Sequence, residues 1–197
     1  MNRRQLAIRA AALFSVPAAL KARAPIEAEG QELIGKPAPS LALKDWLNSP
    51  LEMSDLRGKV VLHRWWTEGC AYCAATAPAL VSLERTYASR GLEIIGIFHP
   101  KPPGKWTMDS VRRAVEQKHF TFRVAVDGDW TALRRWWLTK ERDFTSVSFL
   151  VDQNGLIRYV HPGGEFHEGQ QGGMSTHEAC NRDMHFIQGE IAKLLSA

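Results

Sequence analysis

Two stretches of the chain are apolar without alternation. "KVVLHRWW" (59–66) and "LEIIGIF" (92–98) are rich in β-branched and aromatic residues, the pattern of strands covered on both faces. Between them, "AATAPALVSLERTYASRG" (74–91) spaces its apolar residues three and four apart, which predicts a helix stopping at Gly91 with an internal kink at Pro78. Farther on, "MDSVRRAVEQKH" (108–119) predicts a helix and "FRVAV" (122–126) a strand; "GDWTALRRWW" (128–137) predicts a helix capped by Asp129. "SFLVD" and "LIRYV" flank "QNG", a β-hairpin pattern, and the glycine-rich "HPGGEFHEGQQGGM" (161–174) reads as a loop. Ser175 and Glu178 then stand at capping-box spacing. Cys180, Met184, Ile187, Ile191 and Leu194 follow as one apolar stripe of a closing helix. Toward the front, "GKPAPSLAL" (35–43) is the entry to the folded part, and "SDLRGK" (54–59) a turn or short helical piece feeding the first strand.

Strands alternating with helices, then a hairpin and a last helix, predict an α/β fold with a mixed sheet. A chain of 197 residues, 45% hydrophobic, holds enough material for one core. It shows no internal repeat and no linker long enough to separate two domains.

The amino terminus, "MNRRQLAIRAAALFSVPAALKARAP", has a basic start and a weakly apolar run from Ala10 to Leu20. That run is far short of the ~20 apolar residues that cross a bilayer. It suits an export signal over residues 1–24, of twin-arginine type because of Arg3-Arg4, ahead of a folded domain over 25–197. Ala22-Arg23-Ala24 has the form of a cleavage site. The alternative is an ordinary amphipathic helix. Five basic residues (Arg3, Arg4, Arg9, Lys21, Arg23) and no acid lie in this segment, so the net charge of +4 belongs to the leader. It therefore implies no nucleic-acid partner. Export predicts a periplasmic location.

"WWTEGCAYC" (65–73) places Cys70 and Cys73 three positions apart, where the first buried strand meets its helix. A metal half-site would need about four ligands, and no second CxxC exists. An accidental pair is the other reading. At a strand-to-helix junction, however, the first sulfur falls at a helix amino terminus, where free N–H groups and the helix dipole stabilise a thiolate. The second, one turn on, can close back on it. Redox chemistry is the reading this spacing favours. With three cysteines in all, sulfur chemistry here is local and the fold is not disulfide-stapled.

Together "GKPAP", "LRGKVVLHRWWTEGCAYC", the helix proline of "CAATAP", "RGLEIIGIF" and "FLVDQNGLIR" resemble the thioredoxin superfamily, specifically exported TlpA/ResA-like thiol–disulfide oxidoreductases. "WWTEGCAYC" is also similar to thioredoxin-like domains of DipZ-type proteins. The resemblance covers residues 35 to about 160. It implies a thioredoxin-like sandwich, a mixed sheet flanked by helices with an inserted helix–strand unit. It also implies that Cys70 is the nucleophile and Cys73 the resolving thiol, with protein thiols and disulfides as partners. No bound cofactor is required, and a membrane or periplasmic electron donor supplies the electrons. Three positions depart from the pattern. Ser146 stands where relatives carry a cis-proline before the "FLVD" strand. Arg64 replaces Asp or Asn, where a cation would favour thiolate. Thr76 replaces an acidic residue.

Other residues invite function. His161, His167, His177, Cys180 and His185 crowd the carboxyl-terminal part and could ligate copper or zinc with the CxxC sulfurs. The simpler reading is core packing for Cys180 and solvated loop positions for His161 and His167. His99, ending the second strand, could shuttle protons, with a structural or surface role as the default. Thr67-x-x-Cys70 fits the tail of the peroxiredoxin pattern. The proline of that pattern would fall at His63, and its arginine near the "FLVD" strand is missing. A copper-handling module and a thiol peroxidase are thus the competing classes. Trp65 and Trp66 read as core or groove material beside the cysteines.

Overall fold

A computed structural model describes residues 29–48, 50–51, 53–169 and 175–197; the segment 1–24, expected from its sequence to be an export signal, lies outside them. Six strands form one mixed sheet: β1 (Asp45–Trp46), β2 (Val60–Trp66), β3 (Leu92–Phe98), β4 (Arg123–Val126), β5 (Ser148–Val151) and β6 (Ile157–His161). Their spatial order is β1-β4-β3-β2-β5-β6. The central strands β2, β3 and β4 run parallel, while β1, β5 and β6 are each antiparallel to their neighbours. Four helices, α1 (Ala71–Tyr87), α2 (Met108–Gln117), α3 (Thr131–Trp136) and α4 (Ser175–Leu194), cover the two faces. The α2–β4 unit is the inserted helix–strand piece; β4 pairs with β3 and carries the short β1 at the sheet edge, a strand that the sequence pattern does not show. Among the described residues, no helix is long and apolar enough to cross a membrane.

β2 and β3 lack alternation because both of their faces are covered. Val60, Leu62 and Trp66 pack with residues of α1, α2 and α4, including Leu80, Val111 and Ile187. Val61 and Trp65 pack on the opposite face with Leu133 and Trp136 of α3. By the two-residue period of a strand, Arg64 lies on the α1/α4 side. Met184, Ile187 and Ile191 of α4 are buried in that core. Each contributes about 1.5–3 kcal/mol of burial, which fastens the last helix to the sheet.

Several local expectations change. α1 begins at Ala71, earlier than the apolar spacing suggests, because Cys70 itself is the N-cap, and Pro78 sits inside a continuous helix. A 3-10 turn, Ala88–Arg90, follows α1, and Gly91 then takes the left-handed conformation at φ 108°. The N-cap position of α3 is Trp130, whose side chain makes no capping bond, and the capping role expected of Asp129 falls mainly to Asp127. The Asp127 carboxylate accepts from the N–H groups of Ala132 (3.1 Å) and Leu133 (2.7 Å), whereas the Asp129 carboxylate accepts from the N–H of Thr131 (3.0 Å). His161 belongs to β6, paired with Ser148, and is buried rather than part of a solvated loop. The extra strand residue comes from the hairpin register, which carries β6 past its apolar run. The capping box at Ser175, and the side chain of His177, lie outside the described residues.

Candidate redox site

Strand β2 ends at Trp66, and Thr67-Glu68-Gly69 carries the chain to the start of α1. Gly69 takes a positive φ of 70°, which turns Cys70 into the N-cap position. There Cys70 Sγ accepts a hydrogen bond from the Cys73 N–H at 3.2 Å. A sulfur takes the part that a Ser or Asp oxygen usually plays at a helix start. Cys70 is partly exposed, Ala71 and Tyr72 face solvent, and Cys73 is 2% exposed beneath them.

Ser146 closes the other side. The Thr145–Ser146 peptide is trans, and the Ser146 hydroxyl lies 3.3 Å from Cys73 Sγ and 3.6 Å from Cys70 Sγ. A trans bond is expected before a non-proline residue, where cis costs about 2.5–4 kcal/mol. The position that departs from the family pattern thus supplies a hydroxyl to both sulfurs.

Arg64 lies underneath, 0% exposed. Nη1 donates to Ser148 Oγ at 3.2 Å and Nη2 to the Gly164 carbonyl at 3.1 Å, while the Phe166 ring centroid is 5.8 Å from the guanidinium carbon. No carboxylate pairs with it among the described residues. Burial lowers its pKa, and the groups that restore it are Cys73 and Cys70. An arginine remains a cation even so, and the groups that favour its charge are the two cysteine sulfurs in thiolate form.

These contacts split the two thiols. Burial pushes Cys70 up, but hydrogen bonds from the Cys73 thiol, the Ser146 hydroxyl and the Cys73 N–H, together with the charge of Arg64, outweigh it; its pKa falls below the ordinary 9.0. Deeper burial wins at Cys73, whose pKa is raised despite Arg64. The more accessible sulfur therefore has the greater thiolate character, and the buried thiol hydrogen-bonds to it.

The remaining candidates do not converge on the sulfurs. His99 follows the last residue of β3 in a buried place against Trp130, and burial followed by the charges of Lys101 and Arg64 depresses its pKa to about 3. It is a neutral imidazole near pH 7. Thr76 is buried and donates to the Tyr72 carbonyl at 2.8 Å, a bond within its own helix. His161 pairs with Asp183 at 3.3 Å, His167 with Glu165, and His185 is exposed, so these three described histidines do not form one cluster with Cys70 and Cys73. Trp66 shares its core cluster with Cys73, while Trp65 packs on the far face against Trp136. The supports of Arg64, namely Ser148, Gly164 and Phe166, were not legible beforehand, being distant in sequence and unremarkable in type.

Residues 34–160, more than half of the chain, match the AhpC/TSA family. The chain belongs to that family. Among curated relatives of this AhpC/TSA protein, DipZ of Mycobacterium tuberculosis is 26% identical over 128 residues, 62% of this chain and 18% of DipZ. Thiol-disulfide oxidoreductase ResA of Bacillus cereus is 29% identical over 124 residues, 63% of this chain and 66% of ResA. The solved structure of a thiol-disulfide isomerase from Corynebacterium glutamicum superposes with a TM-score of 0.64 at 21% identity, over 82% of this chain and 97% of that one. The structural likeness establishes a thioredoxin-like fold for the AhpC/TSA protein. The chain spans less than two thirds of both curated relatives.

Proposed function

We propose that this AhpC/TSA-family protein is an exported thiol–disulfide oxidoreductase that reduces disulfides of partner proteins through Cys70 and Cys73. The observation that carries the reading is the asymmetry of the pair. Cys70 is reachable, with a pKa below 9.0, while Cys73 is buried directly behind it with its pKa raised. The Cys70 thiolate attacks one sulfur of the partner disulfide, forming a mixed disulfide and releasing the partner's other sulfur as a thiolate. Cys73 then loses its proton and attacks Cys70 Sγ. The partner leaves with both its sulfurs reduced, and a Cys70–Cys73 disulfide remains. Two electrons have passed to the partner, so a periplasmic or membrane dithiol donor must restore the pair. Tyr72, 58% exposed between the two cysteines, offers an aromatic contact for a docking polypeptide.

The test is capture. Cys73→Ser should accumulate mixed disulfides with partner proteins, and Cys70→Ser should accumulate few. The opposite pattern would reverse the roles, and capture by neither would remove the activity. Support for export is the basic, weakly apolar amino terminus. Fractionated cells should hold a periplasmic protein whose first residue lies beyond position 18. An intact Met1 on a cytoplasmic protein would refute export while leaving the thiol chemistry standing.

A further inference from the structure

On the α4 side of the sheet three side chains of different chemistry converge. Glu165 Oε1 lies 3.7 Å from Cys180 Sγ and 3.8 Å from His167 Nε2, and the three potential donor atoms all lie within 4.8 Å of one another. Glu165 and His167 come from the segment that leaves β6, and Cys180 from the buried stripe of α4. Their shielding exceeds that of an ordinary surface cluster: side-chain exposure is 27% for Glu165 and 16% for His167, and Cys180 is 7% exposed.

We propose that Glu165, His167 and Cys180 form a Zn²⁺ site, with the fourth position taken by water. Zinc bonds of about 2.3 Å to sulfur and 2.0–2.2 Å to nitrogen and oxygen set tetrahedral ligand atoms roughly 3.4–3.6 Å apart. The two Glu165 separations exceed that by only a few tenths of an ångström, and the His167 and Cys180 donor atoms lie within 4.8 Å of each other. The donor set selects the metal. Thiolate, imidazole and carboxylate together suit zinc, whereas magnesium, calcium and manganese take oxygen. Binding of the dication would release the thiol proton of Cys180.

The position gives the site a structural consequence. Glu165 follows Gly164, whose carbonyl accepts from Arg64, and precedes Phe166, whose ring covers the Arg64 guanidinium. Zinc at this tripod would clamp to α4 the backbone that holds Arg64 in place. The inference does not depend on the redox reading, because none of its ligands is one of the paired cysteines.

Cobalt(II) is the probe, added to the reduced full-length protein in a Cys70→Ser/Cys73→Ser background where Cys180 is the only remaining thiol. One equivalent should bind with a sulfur-to-metal charge-transfer band and the visible bands of tetrahedral cobalt, and zinc should displace it. Adding Cys180→Ser should erase the charge-transfer band. Glu165→Gln and His167→Ala, both outside the helices and strands, should each weaken zinc binding by roughly tenfold or more. No charge-transfer band in the parent, or zinc affinity unchanged in both Glu165→Gln and His167→Ala, would overturn the site.

Discussion

The hydroxyl of Ser146 stands 3.3 Å from the sulfur of Cys73 and also touches that of Cys70. One side chain from the loop before β5 therefore serves both ends of the redox couple. Ser146→Ala removes a donor to the thiolate. The loss should raise the Cys70 pKa, because the Ser146 hydroxyl is one of the groups that lower it. The midpoint of iodoacetamide alkylation against pH would move upward accordingly. Ser146→Pro removes the same hydroxyl and reshapes the loop, so it should shift the reduction potential and change which disulfides are reduced. Unchanged potential and partner kinetics in Ser146→Pro would make this departure from the family pattern silent.

Arg64 should set the potential itself. Its charge acts on the thiolate form of the pair and has nothing to act on once the sulfurs are joined. It therefore stabilises the reduced state and raises the potential. Arg64→Met should lower the potential by about 30 mV or more, the equivalent of ~1.4 kcal/mol for a two-electron couple. Equilibration with glutathione or dithiothreitol measures it. Arg64→Lys keeps the charge and should fall between Met and wild type; a potential in Arg64→Met equal to or above wild type would sink the argument.

Acid should unfold the protein through its buried histidines. Burial lowers His63 to about 3, and burial chiefly lowers His99 to about 3 as well, from 6.5. Below pH 6.5 the unfolded chain binds protons at these positions and the folded chain does not. Stability is thus fully present above pH 6.5 and is lost as pH falls toward 3, at about 1.4 kcal/mol per pH unit for each histidine. Urea melts at pH 7, 6 and 5 should show progressively lower midpoints. Equal midpoints would mean that the two imidazoles do not stay neutral.

The helix cap separates two neighbouring aspartates. Asp127 accepts from two N–H groups at the start of α3 and lies 3.5 Å from Trp65 Nε1, whereas Asp129 accepts only from Thr131 among backbone N–H groups and is exposed. Asp127→Ala should cost about 1–2 kcal/mol and roughly 2–8 °C in melting temperature; Asp129→Ala should cost about 0.5 kcal/mol or less. Calorimetry on the two variants compares them directly, and equal losses would contradict the cap assignment.

The unbroken apolar runs of β2 and β3, the helical spacing after them and the QNG hairpin were legible because each is a local pattern, set by the period of the backbone and the burial of its faces. The Cys70/Cys73 pair was legible for the same reason: its spacing and its strand-to-helix position are both short-range. The environment of that pair was not. In β2 every residue is buried, so the strand has no polar-apolar phase to show which face takes Arg64. Only the packing of α1 and α4 against one side, with Ser148 and Gly164 brought from 84 and 100 residues away, decides what the guanidinium meets. Likewise His161 reads as a loop residue until the pairing of β5 with β6 buries it, and Asp127 and Asp129 look alike until the orientation of α3 chooses between them. Glu165, His167 and Cys180 become neighbours only because the chain leaving β6 folds back onto α4. Local pattern determined the elements and the two sulfurs; contacts between distant segments, which no backbone period encodes, determined their charge, their partners and their exposure.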